Sequence, residues 1–379
     1  MDLSPAEFEL APDLIYLNHA AVSPWPRRTR DAVCAFAERS HRRGAADYGP
    51  WLETEARLRQ RLARLINASA PEDVALTKNT SEALSMIGRG LDWRPGDNVV
   101  SIAQEFPSNR IVWESLAPLG VELRLLDLYG CADPEGGLLG LCNSGTRVLS
   151  VSSVQYARGL KLDLERIGTA CRRRGILFCV DAIQSLGVVP FDVQTCQADF
   201  VVADGHKWML GPEGVALFWS RPEARDRLSL HEFGWHMVEH PGDFERRDWR
   251  PSRDARRFEC GSPNMLGIHA LESSLSLVEE LGIEPIHSEV LALCNRLVEA
   301  IERNGFTLLS PRDESRRGGI VTFALPGIGS EWVHKALMAR GILCACRGGG
   351  IRFSPHFYDT PERCDHAVQI TCDIRSALD

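Results

Sequence analysis

Lys207 sits in Val201-Val202-Ala203-Asp204-Gly205-His206-Lys207-Trp208-Met209-Leu210-Gly211-Pro212, where an apolar run ends in a polar turn and a lysine follows a histidine before a Gly-Pro break. Upstream, a second apolar run, Ile176-Leu177-Phe178-Cys179-Val180, ends in Asp181. Buried strands that bring one amine and one carboxylate to the same sheet edge suit an aldehyde cofactor. The amine forms a Schiff base, and the carboxylate holds a proton on a pyridine nitrogen.

A free lysine amine, with a pKa near ~10.4, is protonated at neutral pH and not nucleophilic. Burial and a cationic neighbour lower it, and the apolar residues on both sides of Lys207 argue against a solvated side chain. Asp181, at a strand's C-terminal end, points into the crevice where α/β proteins bind ligands. A carboxylate there keeps a ring nitrogen charged and makes the ring an electron sink, which implies pyridoxal phosphate. An Asp capping the next helix is the commoner use of such a residue; the spacing to Lys207 favours the chemical one. Gln184 follows as a donor toward a ring phenolate oxygen.

Asn79-Thr80-Ser81-Glu82 reads as a helix start. Its free N–H groups and the hydroxyls of Thr80 and Ser81 suit a phosphate monoester, although hydroxyl residues are also plain N-caps. Phe106, in Glu105-Phe106-Pro107-Ser108-Asn109, offers a flat face for a cofactor ring or a core aromatic at a loop start. Arg352, in Gly348-Gly349-Gly350-Ile351-Arg352-Phe353, carries the planar fork that matches a substrate carboxylate. Further pocket candidates are His19, Tyr156, Arg158, Arg347 and His356. His19 also reads as a turn residue, and the two outer arginines either clamp a second acidic group or face solvent.

The elements that must position these residues alternate. Strands are expected at 14–17, 73–77, 98–102, 121–126, 147–152, 176–180 and 199–203, with helices at 27–46, 52–66, 79–91 and 164–174. That alternation predicts an α/β fold with a mostly parallel, helix-covered sheet. The pattern loosens from about 217, and 237–256 reads as a long exposed loop. One long helix is expected over 265–304. A strand at 320–323, a helix at 330–340, a strand pair near 342–354 and a helix at 361–377 make a smaller α+β unit. The division is an N-terminal active-site segment (1–20), a large cofactor-binding domain (21–264) and a small C-terminal domain (265–379).

A chain of 379 residues suits two domains. A net charge of −8 leaves no basic surplus for nucleic acid or an anionic membrane. The run Arg172-Arg173-Arg174 reads as a solvated last helical turn. The twelve cysteines contain no CxxC pair, and no metal site is expected. With no leader and no membrane-length apolar run, a reducing cytoplasm is the expected location.

Together these residues resemble class V aminotransferase-like enzymes of fold type I, a group that includes cysteine desulfurases, selenocysteine lyases, isopenicillin N epimerase-like proteins and kynureninases. The likeness runs from Tyr16-Leu17-Asn18-His19 to Arg352-Phe353-Ser354-Pro355-His356-Phe357-Tyr358-Asp359-Thr360. Its sharpest piece is Asp181-x-x-Gln184 followed by Asp204-Gly205-His206-Lys207. The resemblance implies Lys207 as the Schiff-base lysine, Asp181 on the pyridine nitrogen and Gln184 on the phenolate oxygen. It places Thr80, Ser81 and His206 near the phosphate, and implies a homodimer in which Ser262, in Gly261-Ser262-Pro263-Asn264, reaches the partner's phosphate. The implied reaction is on an α-amino acid or derivative through an external aldimine, in the manner of an epimerase or C–S lyase. Phe106 stands where desulfurases stack a histidine, and Ser153 where relatives carry Asn or His. The alternatives are a desulfurase or selenocysteine lyase using Cys346 or Cys344, and a binding protein that has lost catalysis.

Overall fold

The computed structural model describes residues 5–46 and 48–377. After a short strand β1 (Ile15–Tyr16), the central sheet is built from β2 (Val74–Thr77), β3 (Asn98–Ile102), β4 (Glu122–Leu126), β5 (Thr146–Ser152), β6 (Leu177–Asp181), β7 (Phe200–Asp204) and β8 (Ala216–Ser220). The C-terminal part carries β9 (Thr307–Leu308), β10 (Val321–Ala324), β11 (Ile342–Leu343), β12 (Ala345–Arg347) and β13 (Gly350–Phe353). The helices are α1 (Arg27–Arg43), α2 (Tyr48–Leu65), α3 (Thr80–Gly90), α4 (Pro107–Glu114), α5 (Pro134–Leu141) and α6 (Leu164–Arg174), then α7 (Pro222–Arg225), α8 (Met265–Leu281), α9 (Ile283–Arg303), α10 (Ser330–Met338) and α11 (Pro361–Ser376).

The central sheet runs β2-β8-β7-β6-β5-β3-β4. Its strands are parallel from β7 through β4, and β8 is antiparallel to both its neighbours. Strands buried on both faces read as continuous apolar runs. In β7, Phe200 and Val202 enter one core while Val201 and Ala203 enter the other. Local chemistry sets the helix ends. Asn79 Oδ1 accepts from the Glu82 N–H at the start of α3, Asp163 caps α6, and Gly175 ends α6 at φ 68°, a left-handed angle that favours glycine.

Beyond the unexpected helices α4 and α5 and the short strand β9, three departures from the sequence expectation concern how the parts are joined. β8 lies where the pattern was expected to loosen, yet Phe218 and Trp219 are buried in the sheet. The single helix expected over 265–304 breaks at Gly282 (φ 81°) into α8 and α9. α8 then packs with the large domain: Ser274 Oγ donates to the Leu210 carbonyl and lies 2.7 Å from Thr29 Oγ1. These contacts tie α8 to residues of the large domain. Third, the first segment joins the small domain. β1 pairs in parallel with β11, and Asn18 bridges to Ser354. The stretch 237–256 does lack helix and strand, as expected. Among the described residues, no helix is long and apolar enough to cross a membrane.

Candidate active site

β6 and β7 end side by side, so Asp181 and the turn bearing Lys207 meet at one sheet edge. There a cavity of about 250 Å³ is lined by Asp181, Gln184, Asp204, His206 and Lys207 from this edge, and by Thr80, Ser81 and Phe106 from two helix starts. Arg347 and Arg352 close it from the small domain, and Ala20 and Ala21 from the N-terminal segment.

Asp181 is almost fully buried and held on both oxygens. Asn109 Nδ2 donates to Oδ2 at 2.6 Å and the Ile183 N–H to Oδ1 at 2.9 Å. Burial raises its pKa to about 6, against the pull of those donors and of Lys207. Lys207 is 8% exposed. Burial lowers its pKa to about 8; Asp181 opposes that shift and the Arg352 charge adds to it. Its Nζ has no hydrogen-bond or ion-pair partner among the described residues and lies 5.5 Å from the centre of the Phe106 ring. A desolvated amine with a depressed pKa is the state a nucleophilic lysine requires.

At the start of α3, the N–H groups of Thr80 and Ser81 have no intrahelical acceptor, and the buried Thr80 hydroxyl has no partner. Ser81 Oγ donates to Ser108 Oγ at 2.8 Å. His206 Nδ1 lies 3.1 Å from Asp204 Oδ1 without hydrogen-bond alignment, so both atoms lack a true partner. Gln184 accepts from Trp208 Nε1 at 2.8 Å and donates to the Ala20 carbonyl at 3.0 Å, which leaves one amide hydrogen. Arg352 is 2% exposed. One arm donates to the Tyr156 carbonyl at 2.7 Å and another reaches Asn18 Oδ1 at 3.4 Å, while its Nε has no partner.

Unpartnered donors at a helix start, an unpaired buried amine and a pinned carboxylate fit pyridoxal phosphate: phosphate at Thr80 and Ser81, ring nitrogen at Asp181, aldehyde carbon at Lys207. Phe106, 43% exposed, lies over the cavity with Tyr156 edge-on at 5.3 Å.

Not every expected residue reaches the cavity. His19 does not line it. Its Nδ1–H donates to the Ser354 carbonyl at 2.8 Å, so Nε2 accepts from the Tyr358 hydroxyl at 2.6 Å. With both nitrogens used and full burial, its pKa lies well below the usual value, with His356 contributing; the ring is a neutral structural link rather than a substrate ligand. His356 is similarly buried, 3.2 Å from the Trp208 carbonyl. Ser153 turns away, its hydroxyl 2.6 Å from Ser185 Oγ, and Ser152 faces the cavity instead. Ser262 lines a separate surface cleft with Lys78 and Glu82. Arg158 stacks on Tyr129, 3.6 Å from its centre, and donates to the Gly348 carbonyl.

Two functional residues were not singled out from sequence. Asn109 holds Asp181. Glu105, fully buried, accepts from the Ser152 N–H at 2.7 Å and the Ser152 hydroxyl at 2.5 Å; burial raises its pKa to about 7. Both lie in the segment around Phe106, whose polar residues carried the signal.

Among the described residues, no cysteine lines the cavity. In the β12–β13 hairpin Ala345 pairs with Arg352 and Arg347 with Gly350, while Cys346 pairs with Ile351. Cross-strand partners share a face and neighbours alternate. Arg347 and Arg352 therefore point toward the cavity and Cys346 away from it, while Cys344, just before β12, is buried in the core. Burial raises the Cys344 thiol to about 12 and raises Cys346 as well.

Sheet, cavity and charge placement are those of a fold type I enzyme that uses pyridoxal phosphate. The aminotransferase class-V family model matches residues 15–357, and the chain belongs to that family. A probable cysteine desulfurase of Pyrococcus abyssi is 28% identical, over 98% of this chain and 97% of its own. A mutant of C-DES with glycine covalently linked to its PLP cofactor superposes with a TM-score of 0.91 at 21% identity, covering 98% of this chain and 99% of that one. The cystine C–S lyase C-DES, in complex with its product cysteine persulfide, gives 0.89 at 22%, covering 96% and 98%. The chain is thus a PLP-dependent enzyme of the class V group.

Proposed function

We propose that the enzyme is a C–S lyase-type catalyst acting on an α-amino acid, or small derivative, with sulfur at Cβ. The observation that carries this is that the unpaired Lys207 amine and the Arg352 guanidinium line one cavity, and that no cysteine is among the described residues lining it. Pyridoxal phosphate, when bound, would supply an electron sink for charge developing at the substrate Cα. Thr80, Ser81 and His206 would hold its phosphate, Asp181 its ring nitrogen and Gln184 its phenolate oxygen. Arg352 Nε orients the substrate carboxylate. Lys207 Nζ, with a pKa of about 8, is neutral often enough to take the Cα proton. Phe106 and Ala20 shield that transfer from water. The Cβ–S electron pair leaves on sulfur and is protonated to a thiol. The remaining three-carbon fragment takes up one water to give pyruvate and ammonium, so the reaction balances without an oxidant.

The relatives' names favour a second reading, a cysteine desulfurase that passes sulfur to Cys346 or Cys344. Their opposite-facing thiols, with raised pKa values, weigh against it. A homodimer in which Ser262 completes the partner's phosphate site, in the cytoplasm, belongs to the same proposal. The test is product analysis with cysteine, cystine and S-alkylcysteines. Pyruvate with free thiol or persulfide is expected; alanine with sulfur carried on the protein would overturn the lyase reading.

A further inference from the structure

Arg347 and Arg352 share one face of a two-stranded hairpin, as diagonal neighbours. Diagonal pairs in antiparallel strands lie ~7–8 Å apart at the backbone, within reach of long side chains. Like charges so placed repel, and the Arg347 charge does lower the Arg352 pKa, after burial. Neither guanidinium has a carboxylate partner among the described residues, although both line the cavity. Among the described residues, Arg347 donates to its neighbour's carbonyl, the Cys346 oxygen, at 2.9 Å.

The hairpin is also fixed in place. Its turn passes through Gly348 and Gly349 at φ 59° and 86°, angles that favour glycine. Arg158 Nε donates to the Gly348 carbonyl at 3.0 Å while its guanidinium stacks on Tyr129. That clamp fixes the turn next to Arg347, which is exposed where it lines the cavity, while Arg352 is buried.

We propose that Arg347 is a specificity-determining residue that binds a second anionic group, so that the preferred substrate is a sulfur-bearing amino acid whose leaving group carries its own carboxylate. Arg352 takes the α-carboxylate, as in the function proposed above on which this inference rests. Arg347 takes the distal one, and the two cations are compensated only when both are engaged. Arg158 acts through the turn as a positioning residue.

The experiment uses the holoenzyme and two near-isosteric probes, S-carboxymethyl-cysteine and S-carbamoylmethyl-cysteine, which differ in the charge of the distal group. Dissociation constants come from the shift of the cofactor's visible band, and products from mass spectrometry. The wild type is expected to bind the carboxylate probe about tenfold more tightly than the amide. Arg347→Gln should bring the ratio near one by weakening only the carboxylate probe, and Arg347→Lys should restore part of it. Raised salt should shrink the wild-type ratio, because the distal pair is near solvent. Equal affinities in the wild type, or a ratio unchanged in Arg347→Gln, overturn the inference even if thiol and pyruvate form. A charge preference lost in Arg347→Gln without C–S cleavage keeps the inference and sinks the lyase reading. Failure of both probes to bind overturns both.

Discussion

Asn109 Nδ2 donates a 2.6 Å hydrogen bond to Asp181 Oδ2 across 72 positions of sequence. One of the donors that stabilise the acid's charge therefore comes from α4, outside the two strands that position it. Burial pushes the carboxyl up and Asn109 pulls it down. Asn109→Ala should raise the Asp181 pKa further and move the acidic limb of the pH–rate profile to higher pH, with activity at neutral pH falling about tenfold for one lost charge-assisted bond. An unmoved acidic limb would show that Asn109 is only scaffolding.

Glu105 links pH to stability. Its folded pKa, about 7, lies above the unfolded value, so the folded state keeps a proton that the unfolded chain loses. Its contribution is complete below about pH 4 and is lost as pH rises through 7. Glu105→Gln removes this dependence. Relative to wild type the variant should gain stability between pH 5 and pH 8, by about 3 kcal/mol at most. Urea melts of the apoenzyme at both pH values measure the difference. A wild-type minus variant difference that is flat across this range would refute the assignment.

Lys207→Ala should abolish the covalent attachment of cofactor and lower turnover by about 10²–10⁴-fold. Borohydride reduction followed by peptide mapping locates the adduct. Finding it on any other lysine would displace Lys207 from its role.

Gly187 adopts φ 99°, and a Cβ there would lie 2.2 Å from the Trp208 carbonyl oxygen. That carbonyl belongs to Trp208, the residue after Lys207. Gly187→Ala should destabilise the protein by about 1–3 kcal/mol and weaken cofactor retention, read by thermal melts and the visible band. Wild-type melting and retention in the variant would mean that the turn yields freely.

Cys346→Ala should leave the rate within about twofold, since such surface-directed changes are usually mild. Loss of activity, together with a persulfide on Cys346 in the wild type, would restore the desulfurase reading.

Much of the site was legible because Asp181 and Lys207 each follow an apolar run, and buried strands end where their polar residues begin. Thr80 and Ser81 were legible from helix-start chemistry. His19 was misread because a buried histidine and a ligand histidine look alike in a chain; only the distant Ser354 and Tyr358 decide between them. Ser152 and Ser153 could not be separated, since one residue of register reverses the face. α8 was assigned to the small domain because periodicity continues through Gly282, and which body a helix packs on is a long-range fact. Asn109 and Glu105 act through partners 72 and 47 positions away, which no local pattern reports.

The N-terminal segment is anchored to both bodies within a few residues. The Ala20 N–H bonds to Ser354 Oγ in the small domain, and the Ser23 N–H to the His206 carbonyl beside Lys207. This stretch is a leash. Any swing of the small domain that keeps both anchors must be absorbed between Ala20 and Ser23, a span of at most ~10 Å when fully drawn out. Gating of the cavity is thereby capped: a wider opening has to break one of those two hydrogen bonds as well as the direct links from Arg352 to the Tyr156 carbonyl and from His356 to the Trp208 carbonyl.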